Sequence, residues 1–490
     1  MTVSNASAQS TRRRWLTLIV LCLGVLMIVL DSTIVNVALP SIRADLGFSE
    51  TSLVWVVNAY MLTFGGCLLL SGRLGDLYGH RRMFLGGLAF FTLSSLACGL
   101  AGSQVMLVVA RAIQGLGGAV VSAVSLSLIM NLFTEPRERA RAMGVYGFVC
   151  AGGGSLGVLL GGLLTTVGWH WIFLVNLPIG VAVYAASAAL LPASSETSGS
   201  QRLDVAGAIT VTLSLMLAVY GVVGGNEAGW SSARTLGLLG SAALLMALFL
   251  FIESRSVHPL VPLGMFRLRN ISISNVCAVL WSAGMFAWFF MSALYLQQIL
   301  GYTPMQVGLA FLPANLVMAL LSLGLSAKLV MRFGIRGPLA IGLLLAALGL
   351  MLFARAPMAA ESSGFWIDVL PGMTLLGLGA GIAFNPMLMA AMHDVSPGDA
   401  GLASGLVNTS FMLGGALGLA VLASLAAART SALMVAGAGA LAAQNGGYQW
   451  AFAAGALFAV IAAVLGATLL RADLKAGSEA PAAVHQCPEL

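Results

Sequence analysis

Apolar residues run along this chain in blocks of about twenty, separated by short polar stretches that hold most of the charge. About twenty apolar residues is the helix length that crosses the hydrocarbon of a bilayer. The blocks predict about fourteen spans, beginning near Trp15, Leu53, Met83, Gln104, Ala140, His170, Asp204, Thr235, Ser272, Met305, Pro338, Phe365, Gly401 and Tyr448. Two polar interruptions are longer. "PASSETSGSQRLD", Pro192 to Asp204, reads as a flexible linker. "ESRSVHPLVPLGMFRLRN", Glu253 to Asn270, holds two prolines and three arginines and reads as a segment along the membrane surface. The predicted plan is a cytoplasmic N-terminus (1–14), a six-helix bundle (15–191), a linker (192–203), two additional helices (204–252), a second linker (253–271), a second six-helix bundle (272–470) and a polar tail (471–490).

Composition fixes the class. Of 490 residues, 59% are hydrophobic and 8% charged, against roughly 25% charged in a soluble domain. The expectation is an all-α polytopic membrane protein. Eighteen of the 23 Lys and Arg fall at the two termini and in the even-to-odd loops. Four (Arg43, Arg234, Arg355, Arg429) fall in the opposite loops, and Arg111 lies within a span. The positive-inside rule then puts both termini in the cytoplasm, with the chain in the cytoplasmic (inner) membrane. The same scatter removes a nucleic-acid reading of the formal charge of +6. The six cysteines form no C-x-x-C pair, which argues against disulfides and a metal site. "STRRRWLTL" is superficially like a twin-arginine export signal, but the apolar run after it is too long for a signal core, so it is read as a retained first span.

Against this apolar background the polar residues inside spans carry the chemistry. Asp31 lies about 24 Å along the first helix from Trp15, at ~1.5 Å per residue. A carboxylate there costs ~2.5–3.5 kcal/mol on insertion scales. Alternating apolar and polar surroundings would make it load and release a proton; the bland reading is a pair with a neighbouring helix. Asp368 is the other span acid, near an outer end. Arg111, Gln114, Gly118, Ser122 and Ser125 recur at three- and four-residue steps on one helical face. Arg111 either tunes Asp31 or braces the bundle through carbonyl bonds. Gly153, Gly157 and Gly161, followed by Gly162, form G-x-x-x-G steps for close helix packing. "GGSLG" within that run fits the serine-hydrolase pattern but lies inside a helix, not at a strand–turn–helix. No P-loop and no H-E-x-x-H occur, so an ATP-driven pump and an enzyme are both unsupported.

A weak repeat relates the two halves: "GRLGDLYGHRR", Gly72 to Arg82, and "AKLVMRFGIRG", Ala327 to Gly337. Aligning Gly79 with Gly334 puts Arg81 on Arg336 and Asp76 on Met331. In the first copy, Gly72 is expected to allow close helix approach and Gly79 a tight turn. Asp76 is expected to pair with an arginine or a helix N-terminus at a cytoplasmic gate that includes Arg81 and Arg82.

Several stretches together resemble the major facilitator superfamily, specifically its fourteen-span drug:proton antiporters. They are "LDSTIVNVALP" in span 1, "GRLGDLYGHRR", "RAIQGLGGA" (Arg111 to Ala119), "GWHWIFLVNLPIG" (Gly168 to Gly180) and "YLQQILGYTPMQVGLAFLP" (Tyr295 to Pro313). The resemblance implies two six-helix bundles plus two extra helices, and alternating access driven by the proton gradient without a cofactor. The expected partners are a lipophilic neutral or monocationic small molecule, protons and the lipid bilayer. It implies no obligate oligomer and leaves room for an accessory protein. The chain departs from the pattern at Gly157-Val158, where the antiporter motif carries Gly-Pro, and at His170, where relatives carry arginine. The missing proline leaves an importing symporter or uniporter open, beside a non-transporting receptor or assembly partner. A substrate pocket is sketched from Asn36, Asn58, Tyr60, Gln114, Trp288, Tyr295, Gln298, Asn315, Asn385 and Asn408. The aromatics of span 9 taken singly read more readily as lipid-facing.

Overall fold

Helix boundaries fall where capping chemistry stands in the sequence. Ser49 and Ser52 form a reciprocal capping box at the second helix, and Thr303 with Gln306 does the same at the tenth, where Pro304 occupies the first helical position. Asp204 accepts the Gly207 N–H at the seventh. The computed structural model describes residues 2–191, 204–256, 259–321, 325–359, 363–393, 395 and 400–471. The expected linker over 192–203 and the tail from 472 onward lie outside the described residues.

Fourteen principal helices occur among the described residues. They are α1 (Thr2–Leu46), α2 (Glu50–Tyr78), α3 (His80–Gly99), α4 (Gln104–Leu132), α5 (Pro136–Val167), α6 (Trp171–Leu190), α7 (Val205–Ala228) and α8 (Ala233–Arg255). After a 3-10 turn at Leu263–Arg267 come α9 (Arg269–Leu294), α10 (Pro304–Leu320), α11 (Arg336–Phe353), α12 (Leu370–His393), α13 (Ala400–Val435) and α14 (Ala440–Leu469). Thirteen of them are long and apolar enough to cross a bilayer, and α10 is a shorter apolar helix. The first helix starts earlier than expected: residues 2–14 continue α1 without a break.

Within the first half, α2 packs on α4, α3 on α4 and α1 on α5; within the last, α9 packs on α13 and α11 on both α12 and α14. The halves meet through α5 with α10 and through α2 with α13. The α7–α8 pair leans on this seam, with α7 touching both α2 and α13. Two turns related by the internal repeat share one backbone device. Gly79 between α2 and α3 has φ +89°, and Gly334 before α11 has φ +75°, a region open chiefly to glycine.

The segment expected to begin at Glu253 starts later. Helix α8 runs to Arg255, and Glu253 is buried (3% exposed), accepting the Val261 N–H at 3.1 Å. The aromatics of α9 also depart from a lipid-facing reading: Trp281, Trp288, Phe289 and Phe290 are all buried. Trp288 and Phe289 pack on Phe311 of α10 at ring distances of 5.6 and 5.5 Å. Composition marked these rings as apolar without saying whether lipid or protein surrounds them.

Candidate functional site

Asp31 sits at the centre of a closed polar cluster built from α1, α3, α4 and α6. Arg111 Nη1 donates to Asp31 Oδ2 at 2.5 Å, while Gln114 Nε2 and Asn176 Nδ2 donate to Oδ1 at 2.8 and 2.9 Å. Arg111 and Gln114 are one helical turn apart on α4, as the stripe pattern predicts, and Arg111 also donates to Gln114 Oε1 at 2.6 Å. Its Nε reaches the Val56 carbonyl of α2 at 3.0 Å, so the arginine both pairs the acid and braces the bundle. Beneath the guanidinium lies the Tyr60 ring at 4.3 Å, a cation–π contact in a buried site. Asp31, Arg111, Gln114 and Asn176 are at most 1% exposed.

Asn176 and Ser95 complete the cluster and were missed from sequence. Ser95 Oγ accepts from Gln114 Nε2 at 2.7 Å and from Asn176 Nδ2 at 3.4 Å. The signal for Asn176 lay in "VNLPIG", a polar residue at the start of an apolar run; nothing marked Ser95. Both carboxylate oxygens are occupied, by three donors in all.

Close packing surrounds the cluster. A Cβ on Gly157 would strike the Thr33 hydroxyl, on Gly153 it would come within 2.9 Å of Val29, and on Gly161 within 2.8 Å of the Ile34 carbonyl, so this face of α5 lies flat on α1. Gly162 turns the other way and meets the Pro304 carbonyl of α10, where a Cβ would sit 2.8 Å away.

In the Gly72–Arg82 stretch, Gly79 makes the expected turn but Gly72 does not make the expected close approach. A Cβ at Gly72 would meet nothing within 4 Å, so Gly72 mediates no close approach; Gly75 is the contact glycine, where a Cβ would come within 3.1 Å of Val124. Spacing alone does not say which side of α2 faces α4. Asp76 lies 3.2 Å from His80 Nε2 at the start of α3. Arg81 Nη2 donates to the Ala188 carbonyl at 2.7 Å, a cation on the C-terminal turn of α6 in its own half. Arg82 stands beside it on the exposed side of α3.

At the opposite ends of the helices a second polar cluster crosses between the halves. Arg43 Nη1 lies 3.0 Å from Glu50 Oε1 and 3.3 Å from Gln298 Oε1. Gln444 Nε2 donates to Glu50 Oε1, to Gln298 Oε1 at 2.5 Å and to the Tyr448 hydroxyl at 3.0 Å. Gln297 adds a bond to the Val37 carbonyl at 2.9 Å. These contacts latch α1 and α2 to the helical turn that follows α9 (Tyr295–Ile299) and to the start of α14 on the odd-to-even face.

The sketched pocket therefore splits. Tyr60 and Gln114 belong to the Asp31 cluster, and Gln298 to the latch. Tyr295 donates to the Pro357 carbonyl at 2.9 Å. Asn58 bridges the seam to the Ala416 carbonyl at 2.9 Å. Asn36 and Asn408 bond carbonyls of their own helices. Asn315 is buried with Nδ2 unpartnered, its Oδ1 3.6 Å from a Cβ built on Gly154; Trp288 Nε1 is likewise unpartnered. Asn385 is partly buried on α12. His170 stacks on Trp169 with ring centroids 3.8 Å apart, and Trp169 in turn donates to Asp45 at 2.8 Å, closing the α5–α6 corner on α1.

Comparison with known proteins places this architecture. Residues 21–419 match the family model of the Major Facilitator Superfamily. The cephamycin export protein of Amycolatopsis lactamdurans is 38% identical over 475 residues, 96% of this chain and 95% of that protein. The puromycin resistance protein of Streptomyces alboniger is 39% identical over 423 residues, 86% of this chain and 84% of that one. Among solved structures, a D-xylose-proton symporter aligns with a TM-score of 0.66 over 93% of this chain and 98% of its own, at 15% identity. At that identity the likeness speaks for the fold alone.

Proposed function

The chain belongs to the major facilitator superfamily and is an integral membrane transporter, not an enzyme; from that premise we propose that it exports lipophilic small molecules in exchange for protons. The observation that carries the reading is the Asp31 cluster: one acid, fully buried, accepting hydrogen bonds from Arg111, Gln114 and Asn176. In this reading, rocking of α1 against α4 opens and re-forms the Arg111–Asp31 contact as the carboxyl exchanges its proton with the two sides. Export is favoured over uptake by relatives whose names describe antibiotic export and resistance.

Eighteen basic residues in the termini and even-to-odd loops support a cytoplasmic even-to-odd face. The Arg43–Glu50–Gln298–Gln444 latch then closes the outer face, and the arrangement corresponds to a state loading from the cytoplasm or inner leaflet. With a single acid deep in the spans of the two six-helix bundles, about one proton is exchanged per neutral or monocationic substrate. The gradient supplies about 1.4 kcal/mol per pH unit and ~2.3 kcal/mol per charge per 100 mV.

The test is transport in inside-out vesicles with an acid interior. Wild type should accumulate a lipophilic cation such as ethidium and release protons as it does so. Asp31→Asn should lose accumulation while retaining gradient-independent exchange. Undiminished uphill transport by Asp31→Asn would refute proton coupling through this group. Accumulation only when substrate and proton gradients point the same way would favour symport, the reading that Val158 in place of proline keeps open.

A further inference from the structure

Two seams join the bundles, and each sets the second helix of one against the fifth of the other: α2 on α13, and α10 on α5. The internal repeat would make them alike, but the structure treats them unequally. The α2–α13 seam is closed along its length. Asn58 donates to the Ala416 carbonyl at 2.9 Å toward one end, a Cβ on Gly65 would come within 2.9 Å of Leu413 at mid-length, and one on Gly405, near the start of α13, within 2.8 Å of Leu69. Helix α7 backs this seam from outside, with the Thr212 hydroxyl standing where a Cβ on Gly66 would be. The α5–α10 seam is closed over one half only. A Cβ on Gly162 would lie 2.8 Å from the Pro304 carbonyl, one on Gly308 2.6 Å from the Val158 carbonyl, and one on Gly154 3.6 Å from Asn315 Oδ1. About two and three turns further toward the even-to-odd face, the same side of α5 presents Gly147 and Gly144. Both are exposed, and among the described residues a Cβ on either would meet nothing within 4 Å. The helix that continues α10, Ser326–Phe333, takes its packing from α11 and α12 of its own bundle. The gap is apolar: α5 carries no charge from Ala142 to Ser155, nor does the chain from Pro304 to Ala327. Arg141 and Lys328 bound it. Gly154 lies about 20 Å along α5 from Arg141, and the hydrocarbon of one leaflet is about 15 Å deep. The opening therefore spans the leaflet on the even-to-odd side.

We propose that this gap is a side door of the transport path: substrate dissolved in the cytoplasmic leaflet passes between α5 and α10 at Gly144 and Gly147, while the inserted α7–α8 pair keeps the mate seam shut. The inference rests on the exporter reading above and adds a route to it. Lipophilic molecules concentrate in hydrocarbon, so a door in the leaflet meets them at a higher concentration than a mouth in water. Glycine suits the doorway. It adds no side chain to the gap, and a helix satisfies its own backbone N–H and C=O groups, so a bare helix face toward lipid costs no hydrogen bond. The inserted pair also gains a role: by lying against α2 and α13 it confines lateral entry to one side of the molecule.

The test has two arms, both on the full chain in proteoliposomes. In the first, a nitroxide label is placed at Gly147→Cys or Gly144→Cys in a chain whose six cysteines are replaced. Its collisions with oxygen, which partitions into hydrocarbon, are compared with those with nickel ethylenediaminediacetate, which stays in water. Both labels should favour oxygen as strongly as one at Leu156→Cys, which is 48% exposed on the outer surface of α5. A label at Met412→Cys, in the mate seam, should be shielded from both. Preference for nickel at either glycine would mean an aqueous cleft, shielding there would mean a shut seam, and equal oxygen access at Met412 would mean no asymmetry; each overturns the proposal. This arm needs no transport, so failure of the exporter reading shows separately, as wild type transporting nothing. In the second arm Gly147→Trp or Gly144→Trp fills the door. KM for a lipophilic dye should rise about tenfold with kcat little changed, because entry and not turnover is slowed. Gly237→Trp, facing open space on α8, should leave both constants as they are. An unchanged KM in the filled variants, or a fall in kcat as large as the rise in KM, would overturn the door as the substrate's route.

Discussion

Replacing one member of the Asp31–Arg111 pair should cost far more than replacing both. Arg111→Gln leaves a carboxylate at 0% exposure with two amide donors and no cation. Breaking a buried pair in this way costs about 3–5 kcal/mol. Asp31→Asn keeps one acceptor oxygen for Gln114 and Asn176 but turns an amide N–H₂ toward Arg111 Nη1, donor against donor. The arginine retains Gln114 Oε1, the Val56 carbonyl and the Tyr60 face, which puts this variant near the lower end, about 3 kcal/mol. The double variant removes both charges and their desolvation cost, so its loss should fall short of the sum of the two by about 3 kcal/mol. Equilibrium unfolding in micelles of rising dodecyl sulfate fraction, followed by tryptophan fluorescence, gives the three differences. Additivity to within about 0.5 kcal/mol would refute the coupling on which the proton-carrier reading rests.

The glycines of α2 and α5 should separate sharply. Gly157→Ala drives a methyl into the Thr33 hydroxyl and should destabilise by about 1–3 kcal/mol, whereas Gly72→Ala meets open space and should be neutral or stabilising by roughly 0.5–1 kcal/mol; thermal aggregation midpoints of the purified variants check both. Gly79→Ala must hold φ +89° and should lose about 1–2 kcal/mol, visible in the same assay. Bridging cysteines at Gln298 and Gln444 with a short bis-methanethiosulfonate should arrest transport by fixing the odd-to-even face closed, and a reducing agent should restore it. Continued transport by the bridged protein would show that this face need not open there.

Much of the architecture was legible because a bilayer admits few solutions: twenty apolar residues, loop charge and a lone acid each have one economical reading. The spans, Asp31 and the Arg111–Gln114 stripe came from that logic. What was not legible depended on which way a side chain faces once helices pack. Asn176 and Ser95 join Asp31 across helices far apart in sequence, and Ser95 looks like any small residue in a packed helix. Spacing alone does not reveal the contact face, so nothing in the sequence marks Gly75 rather than Gly72 as the contact glycine. Glu253 looked like the start of a polar linker since Ser254 and Arg255 follow it, although the helix carries it inward to the Val261 N–H. The aromatics of α9 were ambiguous for the same reason, because lipid and protein interior are equally apolar.

The position of α7 has a mechanical consequence. Near one end its Asn226 side chain grips both the carbonyl and the hydroxyl of Ser424 on α13, at 2.6 and 2.9 Å, and that hydroxyl donates back to Val222 at 3.2 Å. Against α2 it makes a steric contact, Thr212 over Gly66. A polar clamp resists sliding, and a small-residue contact permits it. If the bundles tilt as proposed, the expectation is that the α7–α8 pair rides with the C-terminal bundle, with Ser424 as its bolt and the Gly66 contact as its bearing surface.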